Sequence, residues 1–224
     1  QLLVPRLSFK INPSEMKDHS DANRKMNMRN IFNLNRLGLD DSLESGNSLT
    51  LGVDYKKDNI KYDDNSLEIK LATVFRDKIE NNIPTKTSLN KKNSNLFGAI
   101  DYRLSNKLNI SYDFIIDNKV ENSDYNSIGL DLSLNNFVTT FNFIEEREYL
   151  GNANIFENIT KVNFNDRSSL SFKTRRNREI SLTEYYNLVY EYKNDCLTAG
   201  IRFDKTYYED RDLKPSEDFM FTIS

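Results

Sequence analysis

The sequence has few of the residues that catalysis or metal binding would need. Among its 224 residues there is one cysteine, Cys196, and one histidine, His19. An internal disulfide and a Cys/His metal cluster are therefore excluded, and no metal or cofactor is predicted. A catalytic Cys196–His19 pair stays formally open, although a solvated loop histidine is the expected role of His19. No carboxylate pair or Ser–His arrangement indicates other chemistry, so the protein is not predicted to be an enzyme.

Long apolar runs and a strong net charge are missing as well. No stretch approaches the roughly 18 uninterrupted apolar residues that a membrane helix needs. The net charge of -3 leaves no basic excess, so nucleic acid is not an expected partner. The opening residues, QLLVPRLSFKIN, show no signal peptide. For a secreted or outer-membrane protein, that absence predicts a fragment that begins mid-chain.

The sequence does contain apolar residues that alternate with polar ones. Leu49, Leu51, Val53 and Tyr55, for example, fall on one face, as period-two alternation in a strand requires. Similar patterns occur in segments 3–11, 67–75, 96–104, 108–116, 128–134, 137–143, 170–172, 186–192, 197–203 and 219–223. Segment 155–164 alternates less cleanly but is also rich in residues that favour strands. About twelve strands are predicted, most near the 9–11 residues with which a tilted strand crosses a bilayer.

The connections between these strands alternate between short and long. Tight breaks are expected at 105–107, 135–136, 165–167 and 193–195, and longer polar stretches at 12–46, 77–95, 117–126, 147–154, 177–183 and 208–216. Outer-membrane β-barrels have short periplasmic turns and long external loops, whereas a soluble sandwich has no reason for this rhythm. The break at 57–65 is long for a periplasmic turn. The interpretation is an all-β transmembrane antiparallel barrel, with a soluble antiparallel sheet as the alternative.

Charged residues occupy the positions between the apolar ones and are expected to face a hydrated interior. They include Glu68, Lys70, Asp101, Arg103, Asp113, Asp131, Arg202 and Asp204.

Two features fit a finished barrel less well. Tryptophan is absent, so the 12 Tyr and 14 Phe would have to form the aromatic girdles. The last strand ends at Ser224 without a terminal aromatic residue, which predicts that a few C-terminal residues are missing.

Two segments carry a resemblance to a known family. NIFNLNRLGLDDSLESGNSLTLGVDY (Asn30 to Tyr55) resembles the LptD family of outer-membrane lipopolysaccharide-assembly proteins, with its "NR..G.D..E.G" loop and "LTLG..Y" strand. YEYKNDCLTAGIRFDKTYYEDRDLKPSEDFMF (Tyr190 to Phe221) is similar to the family's cysteine that opens the penultimate strand and its aromatic-x-RD pattern. The opening VPRLSF looks like the family's Pro-Arg strand. The single Cys196 departs from the adjacent cysteines of many members, as do Leu39 and Ser42 from the family's usual loop residues.

The resemblance implies a fold, a function and partners. Residues 1–224 would be the C-terminal part, about 12 strands, of a barrel of roughly 26 strands, without the N-terminal periplasmic domain and the first half of the barrel. The whole protein would receive lipopolysaccharide from an LptA-like periplasmic bridge through the missing domain. With an LptE-like lipoprotein as a plug, it would insert the lipid into the outer leaflet of the Gram-negative outer membrane. A porin-like diffusion channel is the alternative.

The resemblance also gives roles to particular residues. Cys196 would form a disulfide with a cysteine of the missing periplasmic domain; a free thiol that packs as a small apolar residue is the alternative. Phe219, Phe221 and Ile223 would lie on the strand of a lateral gate, or simply face lipid. Lys173, Arg175, Arg176 and Arg178 would bind lipopolysaccharide phosphates, for which arginine has suitable geometry, or form a solvated loop beside Glu179 and Glu184.

Overall fold

The structure is a computed structural model that describes residues 1–59, 65–207 and 215–223. In chain order the strands are β1 (Leu2–Asn12), β2 (Gly46–Asp58), β3 (Ser66–Arg76), β4 (Leu96–Ser105), β5 (Leu108–Ile116), β6 (Ser123–Ser133), β7 (Phe137–Glu146), β8 (Asn154–Asn165), β9 (Ser168–Asn177), β10 (Leu182–Lys193), β11 (Thr198–Thr206) and β12 (Ser216–Ile223). Two short 3₁₀ turns, Thr85–Thr87 and Glu148–Leu150, are the only helical elements among these residues.

Each strand hydrogen-bonds to its neighbours in sequence, so a single sheet runs in the order β1 to β12. The registers of the described pairs are antiparallel, as in β1 with β2 and β11 with β12. The predicted all-β class with about twelve antiparallel strands is therefore confirmed. In the described part of the chain, no helix is both long and apolar enough to cross a membrane.

Two compact units divide the chain. Unit 1 comprises residues 1–102, 111–126 and 146–151, and unit 2 comprises 103–110, 127–145 and 152–224. The four tight turns of unit 2 were predicted, and they follow β4, β6, β8 and β10. Backbone hydrogen bonds of 2.7 Å join successive turns, from Ser133 to Lys107, from Asn163 to Asn136 and from Lys193 to Arg167. These turns therefore form a row at one end of unit 2.

The long connections are less uniform than the sequence predicted. Loops 13–45 and 77–95 are long, whereas the connection between β9 and β10 has only residues 178–181. It is short because the ladder continues through polar residues, with Asn177 opposite Leu182 and a bulge between Thr183 and Tyr185. Three predicted features lie partly or wholly outside the described residues. They are the break at 57–65, the loop at 208–216 with its aromatic-x-RD pattern, and Ser224.

In unit 1 the strands have an apolar and a polar face. Leu7 and Phe9 of β1 lie opposite Leu51 and Leu49 of β2, and Leu7 is 71% exposed. On the apolar face of the next strands, the ring of Phe114 lies over Gly98. A Cβ atom at Gly98 would lie 2.1 Å from Cζ of Phe114, so only glycine leaves room for the ring.

Unit 2 has a hydrogen-bonded polar group in the middle of its apolar face. The register places Thr139 opposite Thr160, between the Phe143–Phe156 and Phe137–Val162 pairs. The hydroxyls of Thr139 and Thr160 are 2.8 Å apart, and the Asn158 amide donates to Thr139 at 3.0 Å and to the backbone carbonyl of Thr140 at 3.2 Å. Thr160 also donates to Asn158 Oδ1 at 3.0 Å. Thr139, Asn158 and Thr160 thus satisfy one another; we call them the polar trio.

Candidate functional site

In unit 1, loops 13–45 and 77–95 fold together over the polar face of the sheet, and we call them the insert. The sequence predicted these loops as long polar stretches and did not predict that they fold against the strands. Side chains of the insert, of Leu150 and of the strands of unit 1 form one buried apolar core. It consists of Met16, Met26, Met28, Ile31, Leu37, Leu39, Ala72, Val74, Ile83, Leu89, Phe97, Ala99, Ile115 and Leu150. Because burial of apolar side chains drives packing, this core fixes the insert on the strands.

A buried ionic cluster joins the insert to β2 and β3. Arg36 donates to both carboxylate oxygens of Glu44, each at 2.6 Å, and its side chain has 0% exposure. Its remaining N–H groups donate to Ser48 at 2.9 Å and to Thr50 at 2.8 Å. Arg76, at the end of β3, forms a second ion pair with Glu44. Two arginines therefore neutralise and orient one buried carboxylate.

The structure gives roles to four residues of the "NR..G.D..E.G" pattern, Asn35, Arg36, Gly38 and Glu44. Arg36 and Glu44 form the buried pair, and the Asn35 side chain donates to the Leu39 carbonyl at 2.8 Å and accepts from Gly38 N at 3.1 Å. Gly38 has φ of +62°, which glycine adopts at no steric cost. Burial raises the pKa of Glu44, but the hydrogen bond from Arg36 and the charges of Arg36, Arg76 and Lys10 outweigh it, and the pKa lies below its ordinary value.

Further contacts hold the insert against β1 and the end of β7. Lys10 of β1 donates to the carbonyls of Asn33 at 2.6 Å and Leu34 at 2.9 Å. The guanidinium of Arg6 lies 4.1 Å from the centre of the Phe32 ring, within the range of a cation–π contact. Lys25 of the insert forms an ion pair with Glu146. These contacts involve residues 25–34 of the insert, so this part of it is attached to the strands at several points.

His19 lies in the insert, where its Nε2 is 3.1 Å from Asp41 Oδ1 and 3.2 Å from the Ser42 hydroxyl. The partners of His19 in the described residues thus belong to the insert itself. Within the same residues, no group of three or more His, Cys, Asp or Glu side chains could hold a metal ion.

The polar face of unit 2 carries a regular array of side chains across β9 to β12. Registers of the three strand pairs place residues in rows, one residue from each strand. The rows are Arg175–Tyr185–Thr206–Ser216, Lys173–Asn187–Asp204–Asp218 and Ser171–Val189–Arg202–Met220. Ten of these twelve side chains are polar or charged, whereas the opposite face carries Phe172, Leu188, Phe203 and Phe219 in one row. We call the three rows the polar ladder.

Several of the charged residues that were predicted to face the interior have partners on the polar faces of the two units. Lys70 pairs with Glu68 at 2.9 Å in unit 1. In unit 2, Asp131 accepts a hydrogen bond from Thr140 at 2.9 Å, and Arg202 pairs with Asp204 in the ladder. Most of these charges are thus paired with a neighbour.

The structure divides the basic cluster that the sequence singled out. Lys173 and Arg175 belong to the polar ladder, and Arg175 pairs with Glu184 at 2.9 Å. Arg176 lies on the other face, opposite Phe156 in the register. Arg178 is exposed in the connection between β9 and β10. Alternation of side chains along β9 is the reason for the division, and these four residues do not form one patch.

The proposed gate residues are brought together on one face of β12. Phe219, Phe221 and Ile223 are 59%, 69% and 77% exposed, and they lie opposite Phe203, Ile201 and Ala199. The rings of Phe219 and Phe221 are 5.0 Å apart, edge to face. They therefore form a continuous exposed apolar strip.

Cys196 lies in the last tight turn of unit 2, and its thiol is free and exposed. Strand β11 begins at Thr198, so the cysteine precedes the penultimate strand by two residues and does not open it. The Asn194 side chain fixes this turn by accepting hydrogen bonds from the backbone N–H of Cys196 at 3.0 Å and of Leu197 at 2.8 Å.

The sequence did not predict that the insert has a buried apolar core. It also did not predict that the residues of the polar ladder form one array. The apolar residues of the insert follow neither the strand nor the helix period, so no pattern signalled burial. Arg36 and Glu44 are both part of the quoted family pattern. Their opposite charges were the available signal for a buried ion pair. The ladder required the registers, which alternation within one strand does not give.

A family model matches most of the chain. The model described as "LptD: LPS transport system D" matches residues 1–175. The match includes the Asn30–Tyr55 segment and the insert, and it ends within β9, before Cys196 and the second quoted segment. No curated protein matches the chain.

Among solved structures, the chain is similar to mutants of the porin from Rhodopseudomonas blastica. A triple mutant has 10% sequence identity and a TM-score of 0.38, with 99% of this chain and 88% of that chain covered. Another mutant has 11% identity and a TM-score of 0.37, with 83% and 81% covered.

Proposed function

Because the chain belongs to the LptD family, LPS transport system D, we propose that it transports lipopolysaccharide and inserts it into the outer leaflet. The protein lies in the outer membrane of a Gram-negative cell. The family match carries the proposal, since it covers residues 1–175.

The two faces of unit 2 support the same function. Lipopolysaccharide has a polar saccharide and apolar acyl chains, and a membrane β-strand presents polar residues on one side and apolar residues on the other. The polar ladder is suited to the saccharide, and the strip Phe219–Phe221–Ile223 is suited to acyl chains. Both involve β12, so an amphiphile that passes this strand would meet a matching surface on each side.

Further parts of the proposal follow the family resemblance. The twelve strands would be the C-terminal half of a barrel of roughly 26 strands, with β12 on one side of a lateral gate. An LptE-like lipoprotein would act as the plug, and an LptA-like bridge would deliver lipopolysaccharide. Cys196 would bond to a periplasmic cysteine elsewhere in the protein. Arg176 and Arg178 would contact phosphates of the outer leaflet.

Depletion of the protein in its own cells tests this function. Newly made lipopolysaccharide should then stay inaccessible to a probe added outside the cell, and expression of the intact gene should restore access. Cysteines placed in β12 and in the first strand of the barrel should block transport when they are cross-linked. Unchanged surface lipopolysaccharide after depletion, together with solute flux through the purified protein in planar bilayers, would instead support a porin-like channel.

A further inference from the structure

The connection between β7 and β8 packs against the insert. Residues 146–151 belong to unit 1, as the insert does. The 3₁₀ turn Glu148–Leu150 contacts the other 3₁₀ turn, Thr85–Thr87, which lies in the insert. Leu150 is 1% exposed and belongs to the same apolar core as Ile83 of the insert. Residues 146–151 are therefore anchored on the insert, and we call them the strap.

Buried hydrogen bonds connect the strap to the second loop of the insert. The backbone N–H of Arg147 donates to the carbonyl of Asp124 in β6 at 2.9 Å. The carboxylate of Asp124 accepts a hydrogen bond from the Asn95 amide at 2.8 Å, and the backbone N–H of Asn95 donates to the Ser88 hydroxyl at 3.0 Å. Ser88 and Asn95 are 0% exposed and Asp124 is 2% exposed. Such bonds are costly to break, because a buried polar group that loses its partner gains no water in exchange.

An ion pair connects the strap to the first loop of the insert. Glu146 pairs with Lys25 of that loop, and the Glu146 side chain is only 15% exposed. Gly151 makes room for this carboxylate, since a Cβ atom at Gly151 would lie 2.8 Å from Oε2 of Glu146. With φ of +145° and ψ of -173°, Gly151 also has a conformation that is essentially restricted to glycine. The strap thus contacts both loops of the insert.

One residue of the strap has a strained backbone. Glu148 has φ of +55°, in the left-handed region that a residue with a side chain adopts at a cost. It lies between Arg147 and Leu150, the two residues that attach the strap. Strain of this kind persists only where the surrounding structure maintains it. If Leu150 left the core, Glu148 could return to an ordinary conformation, so the strain favours release of the strap.

We propose that the strap is a releasable lock on the insert: burial of Leu150 holds it closed, and the strain at Glu148 promotes its opening. Because the strap contacts both loops, its release would loosen the insert as a whole. The insert packs on the polar face of the strands of unit 1, so the lock controls access to that face. It would do so whichever solute passes through the barrel.

Amide hydrogen exchange of the purified full-length protein, in detergent with any partners that co-purify, tests the lock. Leu150→Ala should make exchange at least about tenfold faster in the strap and in residues 77–95, because truncation of a buried leucine removes its contacts. Ile79→Ala is the matched control, since Ile79 is another large aliphatic residue of the same loop but is 60% exposed. Unchanged exchange in β9 and β10 would show that the variant is folded.

A second pair of variants tests the strain. Glu148→Gly removes the steric cost of the left-handed conformation, so exchange in the strap and in residues 77–95 should become at least about threefold slower. Glu148→Gln is the control, because it removes the charge and keeps the strain.

Three results would overturn the proposal. The first is exchange in residues 77–95 that is the same in Leu150→Ala as in wild type. The second is an equal acceleration in Ile79→Ala. The third is exchange in Glu148→Gly that is as fast as in Glu148→Gln or faster. If Leu150→Ala does not fold, the comparison at Glu148 decides alone: slower exchange in both segments supports the lock, and unchanged exchange rejects it.

Discussion

The guanidinium of Arg36 holds both carboxylate oxygens of Glu44 at 2.6 Å in the interior of unit 1. The two residues are eight positions apart, at opposite ends of a polar loop segment, and each is almost fully buried. This pair ties the segment into a closed turn, and Arg76 attaches it to the sheet. The insert is therefore a folded part of the protein.

Replacement of Arg36 should release the insert. Arg36→Met would leave Glu44 buried without its fork-shaped partner, and breaking a buried ion pair costs about 3–5 kcal/mol. Amide hydrogen exchange in residues 13–45 of the purified full-length protein should become at least about a hundredfold faster, at a tenfold change per 1.4 kcal/mol. Lys17→Gln is the control, since it removes the exposed Lys17–Asp41 pair. Equal exchange in Arg36→Met and wild type would show that the pair does not hold the insert.

The insert should open at acid pH through Glu44. Its pKa is lower in the folded protein than in the unfolded chain, where it is about 4.3. The stabilisation is thus fully present above that value and is lost as pH falls through the lower folded pKa. Exchange of the insert, corrected for intrinsic rates, should be constant from pH 8 to 5 and rise below about pH 4.3. Glu44→Gln should lose this dependence; a transition near pH 6 would point to another group.

The effects of substitutions at Gly98 and at Phe114 on stability should depend on each other. Gly98→Ala would force the Phe114 ring to move, and overpacking of this kind costs about 1–3 kcal/mol. In the Phe114→Ala background the same change should cost at least about 1 kcal/mol less, because the ring is gone. Heat-modifiable mobility of the full-length protein gives the unfolding midpoints. Additive losses in the double variant would contradict the close contact.

Cys196 should form a disulfide in the full-length protein. Its thiol is exposed in the last tight turn, where another domain can reach it. Non-reducing gels should show a mobility shift that reducing agent or Cys196→Ser abolishes. Labelling of Cys196 by a maleimide without prior reduction would show a free thiol instead.

Charge reversal at the end of β9 should weaken the permeability barrier if Arg176 and Arg178 bind lipid phosphates. The double change to Glu should raise sensitivity to hydrophobic antibiotics, because like charges would then face the phosphates. Lys161→Glu, on the opposite face, serves as the control. Unchanged sensitivity in the Arg176 and Arg178 variant would favour a solvated loop.

The strands could be predicted because alternation is a local property of the sequence. Alternation in the segments Leu49 to Tyr55 and Phe219 to Ile223 already indicates which residues share a face. Polar tight turns indicate where strands end. The insert could not be predicted in this way, since burial of Met26 or Ile31 depends on a tertiary contact with Val74 and Phe97. The basic cluster was a different case. Its division was within reach, because alternation alone separates Arg175 from Arg176.

The polar trio of Thr139, Asn158 and Thr160 limits which substitutions this surface can accept during evolution. On a lipid-facing surface there is no water to replace a lost partner, so an unmatched hydroxyl or amide there is costly. Loss of any one member leaves the other two with unmet donors or acceptors, whereas exchange of all three for aliphatic residues leaves none. Relatives of this protein are therefore expected to have either the whole trio or an apolar set at these positions, and intermediates between the two should be rare.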